Sequence, residues 1–309
     1  MMASGERADA VIVTRGLSKQ YGIVTALDRL SLTVPTGTIY GFLGPNGAGK
    51  TTTIKLLMGF VRPTAGSATI FGHDTWRYGV AARRDVGYLV DAEALYPDMT
   101  GEAQLNHAAT LSGRSPALRS TLLDALELSR DALGRKLGTY SRGMRQKLAL
   151  IAAIQHDPPL LILDEPTEGL DPLIQRAFEE VLRSLRDRGR TIFMSSHDLA
   201  EVERTCERVA VVRAGKLVVE ETIEGLMRLE RRRAEITFTE SVPDGIDAVT
   251  GATLVARNGR RVQLSLDGDV NPLLRFLANH AVAEVVLTRP NLEDIFMGFY
   301  GGEHDEVAR

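Results

Sequence analysis

Nine residues, Gly44-Pro45-Asn46-Gly47-Ala48-Gly49-Lys50-Thr51-Thr52, constrain this chain more than any other stretch of it. They form a complete Walker A loop. Polyphosphate is dense in charge and strongly hydrated, so few backbone geometries can hold it. A run of small residues lets successive backbone N–H groups turn toward one anion. Lys50 can reach the terminal phosphates, and the Thr51 hydroxyl can ligate Mg²⁺. The flanks agree with this reading. Thr38-Ile39-Tyr40-Gly41-Phe42-Leu43 reads as a short apolar strand, and Thr52 to Met58 as a helix. The N-terminus of that helix would face the phosphate. A strand, this loop and a helix in succession predict an α/β nucleotide-binding fold.

A second segment supplies acid chemistry. Leu160-Leu161-Ile162-Leu163-Asp164-Glu165 is a Walker B pattern, a wholly apolar strand that delivers two carboxylates at its C-terminal end. Strand alternation would send the two side chains to different sides. One carboxylate is then placed to hold Mg²⁺ through water and the other to face an attacking water. A carboxylate so placed is a candidate general base, a role worth roughly 10²–10⁴ in rate.

Composition limits the alternatives. The chain has 309 residues, enough for one large and one small domain, and a net charge of −3. A dedicated nucleic-acid binder carries a basic excess that is missing here, so no nucleic acid is expected as a partner. The single cysteine, Cys206, allows no intrachain disulfide. No apolar run approaches the roughly 20 residues that span a bilayer. The first ten residues read as a flexible N-terminus.

Periodicity organises the rest. Val11-Ile12-Val13 and Leu30 to Val34 read as strands, residues 101–134 as helical, and Ser141 to Ile154 as a helix. Asp171-Pro172 starts a helix, with Ile174, Phe178, Val181 and Leu185 on one face and Gly189 at its end. Thr191 to Met194 is another buried strand, and Ala214-Gly215 turns a hairpin. Met227 to Arg233 reads as a charged helical linker. Beyond it come a strand at Ala234 to Phe238, a hairpin at Asn258-Gly259, a helix from Asn271-Pro272, a strand at Glu284 to Leu287 and a terminal helix after Pro290. The expected boundaries are 11–228 for the nucleotide-binding domain and 229–309 for a small α+β domain.

These motifs together resemble the nucleotide-binding subunits of ATP-binding cassette transporters. Ser141-Arg142-Gly143-Met144 resembles the family's signature, Gly169-Leu170-Asp171 its D-loop, His197 its switch histidine, and Tyr21 the aromatic residue that stacks on adenine. The resemblance implies a RecA-like mixed sheet flanked by helices, an antiparallel β subdomain and a helical signature subdomain. It implies ATP as substrate, Mg²⁺ as cofactor, and Thr51, Asp164 and Asp91 as the metal's neighbours. It implies a homodimer in which Ser141, Arg142, Gly143 and Met144 of one subunit, through Ser141 and Gly143 above all, complete the ATP site of the other, with Asp171 beside it. Two departures stand out. Asp91 replaces the family's Q-loop glutamine, and Arg142 and Met144 replace a Gly and a Gln of the signature.

One cassette without zinc-binding cysteines or a long coiled-coil insertion resembles transport ATPases more than soluble cassette ATPases. Pro290-Asn291-Leu292-Glu293-Asp294-Ile295-Phe296 resembles the tails of exporter ATPases. The expectation is export through an integral-membrane permease on a separate chain, from a cytoplasmic position on the inner face of the cell membrane. An importer subunit or a soluble cassette ATPase is the alternative.

Overall fold

A computed structural model describes residues 10–89, 91–229, 232–288 and 292. The chain divides into two compact units, Met1–Thr222 and Ile223–Arg309.

The first unit opens with β1 (Ala10–Tyr21) and β2 (Val24–Pro35), followed by β3 (Ile39–Leu43) and α1 (Lys50–Leu57). Next come β4 (Ala65–Ile70), β5 (His73–Asp74), α2 (Gly79–Arg83) and β6 (Val86–Tyr88). The stretch read as helical at 101–134 is broken into α3 (Gly101–Ser112), α4 (Arg119–Ala125) and α5 (Arg130–Leu133), before α6 (Arg142–Ile154). Gly113 at φ 64° closes the first of these, a left-handed position that glycine takes without strain. The unit ends with β7 (Leu160–Asp164), α7 (Pro172–Asp187), β8 (Thr191–Ser196), α8 (Leu199–Thr205), β9 (Arg208–Arg213) and β10 (Lys216–Thr222).

Two sheets organise these strands. A six-stranded sheet runs β10-β9-β3-β8-β7-β6. Its strands from β9 to β6 are parallel, and β10 pairs antiparallel at the edge. The apolar runs in β3, β7 and β8 are buried on both faces, as a helix-covered parallel sheet requires. A four-stranded antiparallel sheet, β2-β1-β4-β5, lies in the same unit. One core joins the two sheets, with Tyr40, Phe42 and Phe193 at its centre and Ile12, Leu30 and Val34 from the antiparallel side. Tyr40 stacks on Phe193 at 5.8 Å between ring centroids. The fold is therefore the mixed α/β cassette that the motifs imply.

Helix α7 buries Ile174, Phe178 and Leu185 as expected, and also Leu182 and Glu179. Glu179 is tolerated inside because Arg204 and Arg183 both pair with it.

The second unit contains α9 (Ile223–Leu229), β11 (Arg232–Phe238), β12 (Ala252–Asn258), β13 (Arg261–Leu266), α10 (Asn271–Leu277) and β14 (Val282–Thr288). Its sheet runs β12-β13-β11-β14, with Ala234, Ile236, Phe238, Val262 and Leu264 packed beside Leu273 and Leu277 of α10. The expected linker helix over Met227 to Arg233 is corrected here. The helix is Ile223–Leu229, and Arg232 and Arg233 already belong to β11. Strand β13 pairs with both residues and β14 with Arg233, which outweighs local helix propensity. The expected N-terminal segment before Ala10 and the terminal helix after Pro290, apart from Leu292, lie outside the described residues. Among the described residues no helix is long and apolar enough to cross a membrane.

Candidate functional site

The order β3-β8-β7 places three strand ends side by side. In-register parallel pairing sets Leu43 beside Ser196 and Asp164 beside Ser195. The Walker A loop, the segment Ser195-Ser196-His197 and the pair Asp164-Glu165 therefore leave the sheet at one edge. Ligands of open α/β sheets bind at this carboxyl end of the strands.

The loop is held tightly. The Ala48 N–H donates to Pro45 O at 3.1 Å, and the Gly215 N–H to Ala48 O at 3.0 Å. Gly49 adopts φ 110°, and a Cβ there would sit 2.7 Å from Ala26 O, so only glycine fits. The first N–H groups of α1 have no partner within the helix and point out of its N-terminus. Lys50 is 6% exposed, and its ammonium donates to Gly44 O at 2.6 Å and pairs with Glu165 Oε1 at 3.2 Å.

Glu165 carries a second partner. Its Oε2 lies 2.7 Å from His197 Nδ1, so one carboxylate bridges Lys50 and His197. The alternation expected to separate Asp164 from Glu165 does not reach Glu165. Strand β7 ends at Asp164, and Glu165 turns into the left-handed region at φ 48°. Ser195, fully buried, stabilises that turn: it accepts from the Glu165 N–H at 3.0 Å and donates to Asp164 Oδ1 at 2.5 Å. With Nδ1–H given to Glu165, a neutral His197 ring leaves Nε2 as an acceptor. Donation to a phosphate then requires a doubly protonated ring or a ring that has left Glu165.

A cleft of about 580 Å³ opens beside these groups, lined among others by Thr51, Asp91, Asp164, Glu165, Arg142 and Tyr88. Burial, and then the charges of Asp164 and Asp91, push the Tyr88 phenol above its ordinary range. The two acids thus face one space. Asp91 also caps a 3-10 turn at Ala92–Ala94, accepting from the Glu93 N–H at 2.9 Å. Thr51, Asp164 and Asp91 offer oxygen donors only, which suits a hard cation such as Mg²⁺.

The other candidate residues sit at or near the ends of strands and helices. Tyr21 ends β1, half exposed, with the Lys19 ammonium 4.8 Å from its ring centroid. Ser141 caps α6 and accepts from the Met144 N–H at 3.2 Å. Arg142 pairs with Glu168 at 2.5 Å, both more than half exposed, so the pair adds little to stability. A Cβ on Gly143 would sit 3.2 Å from Gly169 O, so this glycine also lets α6 approach the D-loop within its own subunit. Asp171 caps α7 through the Leu173 and Ile174 N–H groups, both at 3.1 Å. Sequence reading missed two supports. One is Gln146, which is buried and donates to Pro166 O at 2.8 Å. The other is the hydroxyl pair Ser195-Ser196, whose signal was two polar residues ending a wholly buried strand.

The ABC transporter family model matches residues 27–168. The chain is 33% identical to the bacitracin transport ATP-binding protein BcrA of Bacillus licheniformis, over 94% of this chain and 98% of that protein. This chain belongs to the ATP-binding subunits of ABC transporters. It is also 33% identical to a fluoroquinolones export ATP-binding protein of Mycobacterium tuberculosis, over 97% of this chain and 96% of that one. A solved ATP-binding subunit of an ABC transporter superposes with a TM-score of 0.66 at 31% identity, covering 71% of this chain and 92% of that structure. The cassette is an ATPase, with ATP as substrate and Mg²⁺ as cofactor.

Proposed function

We propose that this cassette powers export through a separate integral-membrane permease, working as a homodimer on the cytoplasmic face of the cell membrane. The full-length similarity to drug and antibiotic transport subunits supports export over import or a soluble role. Two ATP molecules would lie in the dimer interface, each held by the Walker A loop of one subunit and the Ser141 helix end of the other. ATP then shifts the pair toward closure by its higher affinity for the closed state, and the permease follows that shift.

The observation that carries the chemistry is the bridge from Lys50 through Glu165 to His197. A polyphosphate competes with Glu165 for the Lys50 ammonium. Once Lys50 turns to phosphate, Glu165 Oε1 is free to accept a proton from water. His197 keeps Glu165 oriented through Oε2, and Ser195 keeps its backbone in place. Tyr21 offers a ring face to adenine. Thr51, Asp164 and Asp91 would hold Mg²⁺, whose chemistry when bound is to neutralise charge on the phosphates.

Membrane vesicles carrying the subunit with its permease test the reading. Outward, ATP-dependent movement of a hydrophobic antibiotic or dye, lost in the Glu165→Gln subunit, is expected. Inward movement, or ATPase activity indifferent to the permease, would overturn export.

A further inference from the structure

Behind the cleft sits an acid that none of these steps uses. Glu201, in the first turn of α8, is 4% exposed. Its Oε2 accepts from Ser196 Oγ at 2.6 Å, and Ser196 Oγ accepts from the Asp198 N–H at 3.0 Å. Ser196 is itself buried and immediately precedes His197. The other carboxyl oxygen, Oε1, is buried with no hydrogen bond of good geometry. The Thr167 side chain lies beside the same carboxyl. Thr167 belongs to the loop that begins at Glu165, and its carbonyl accepts from the Leu170 N–H and from Gln175 Nε2. Successive residues of β8 point to opposite sides. Ser195 therefore serves the Walker B pair while Ser196 serves Glu201.

Helix capping alone does not account for this. In a capping box the third-residue Glu reaches back to the cap's own N–H. Here that N–H is taken by Ser196, and Glu201 stands one hydroxyl further back. The charged and titratable neighbours of the carboxyl are Asp198, Glu165, Arg204 and Cys206. None of them hydrogen-bonds Oε1.

We propose that Glu201 is a positioning residue for ATP hydrolysis: its buried carboxyl clamps the loop carrying His197 to the loop carrying Glu165 and the Gly169-Leu170-Asp171 turn. The clamp rests on the ATPase reading above and deepens it. A buried oxygen without a hydrogen bond of good geometry is unfavourable. The arrangement in which the Thr167 hydroxyl donates to Oε1 is therefore preferred once the loop after Glu165 shifts toward it. Movement of the D-loop is thereby felt at His197, and the reacting groups are set from behind rather than from the nucleotide side.

Steady-state ATPase assays on the full-length chain test the clamp, with nucleotide affinity and melting temperature measured on each variant. Glu201→Leu should lower kcat about 10- to 100-fold, the cost of slightly misplaced reacting groups. KM and nucleotide affinity should stay within about twofold, because the lost contact acts on the chemical step and not on ground-state binding. Glu201→Gln should restore most of the rate, since its amide can accept from Ser196 and donate to Thr167. Thr167→Val should slow kcat in the parent but add little in the Glu201→Leu background, the signature of a coupled pair. A folded Glu201→Leu protein with the parent kcat overturns the clamp, as do effects of the two substitutions that simply multiply. If Glu201→Leu does not fold, parent-like kcat in both Thr167→Val and Ser196→Ala overturns it equally. Parent activity abolished by Glu165→Gln secures the ATPase reading itself, so these outcomes bear on the clamp alone.

Discussion

Glu165 concentrates the chemistry at the residue scale. It adopts a left-handed backbone that a non-glycine residue occupies at a cost of about 1–3 kcal/mol, and such outliers cluster at functional sites. Its two oxygens hold two different partners, so Glu165→Gln keeps much of the geometry and loses only the proposed base. Hydrolysis should fall about 10²- to 10⁴-fold, with nucleotide binding retained; phosphate release and equilibrium binding measure the two halves. Lys50→Ala should instead lose tight nucleotide binding, because it removes the buried cation for which a polyphosphate would compete with Glu165. Glu201 yields a prediction about pH. Burial, only partly offset by Ser196 and Thr167, pushes its carboxyl above the ordinary value of 4.5. A group whose folded value is raised contributes stability that is complete below its unfolded value and is lost as pH rises through the folded value. Glu201→Gln removes that dependence. The melting temperature of the variant should gain on the parent as pH rises above about 4.5, and a constant difference with rising pH would count against the shift.

At the scale of elements, helix α6 shows how a motif and a scaffold share residues. Ser141 caps it, Gly143 lets it approach Gly169, and Gln146 bonds the Pro166 carbonyl behind Walker B. Gln146→Leu strands that carbonyl in a buried place and should cost about 1–3 kcal/mol, read by chemical denaturation. Ser141→Ala should cost about 1 kcal/mol through the lost cap, and far more in activity if the same hydroxyl meets ATP in a second subunit. Asp91 gives a third comparison. Because its carboxylate already caps the turn at Ala92–Ala94, Asp91→Ala should loosen that turn and slow hydrolysis. Asp91→Gln, which restores the family's residue, should retain more activity than Asp91→Ala. Equal ATPase rates in all three forms would reduce Asp91 to a hinge.

For the whole molecule, the boundary between the units falls at Thr222, and every residue of the bridge from Lys50 to His197 lies before it. A chain ending at Thr222 should therefore keep nucleotide binding. We expect it to lose dimer stability or permease capture, measured by size-exclusion chromatography and co-purification; unchanged assembly would leave the second unit without that role.

Much of this was legible in the sequence because it is local. The Gly-rich loop, the apolar runs of β7 and β8, the cap at Asp171-Pro172 and the turns at Ala214-Gly215 and Asn258-Gly259 are set by backbone conformation and burial within a few residues. The Walker A and Walker B segments identified the ligand and the reaction, and the motifs at Tyr21, Ser141 to Met144, Gly169 to Asp171 and His197 the family. The linker was misread for the opposite reason: Arg232 and Arg233 are strand only because β13 and β14 flank β11. The same holds for Ser195, Ser196, Thr167 and Glu201, which are ordinary polar residues in a linear reading. Strand order brought β8 between β3 and β7, and register set Ser195 against Asp164. Which carboxylate meets Lys50, which hydroxyl braces Glu165, and that a buried acid stands behind both reacting loops were decided only in three dimensions. Ser195 lies 30 positions from Glu165 and Lys50 lies far earlier in the chain, and no local preference encodes such pairings.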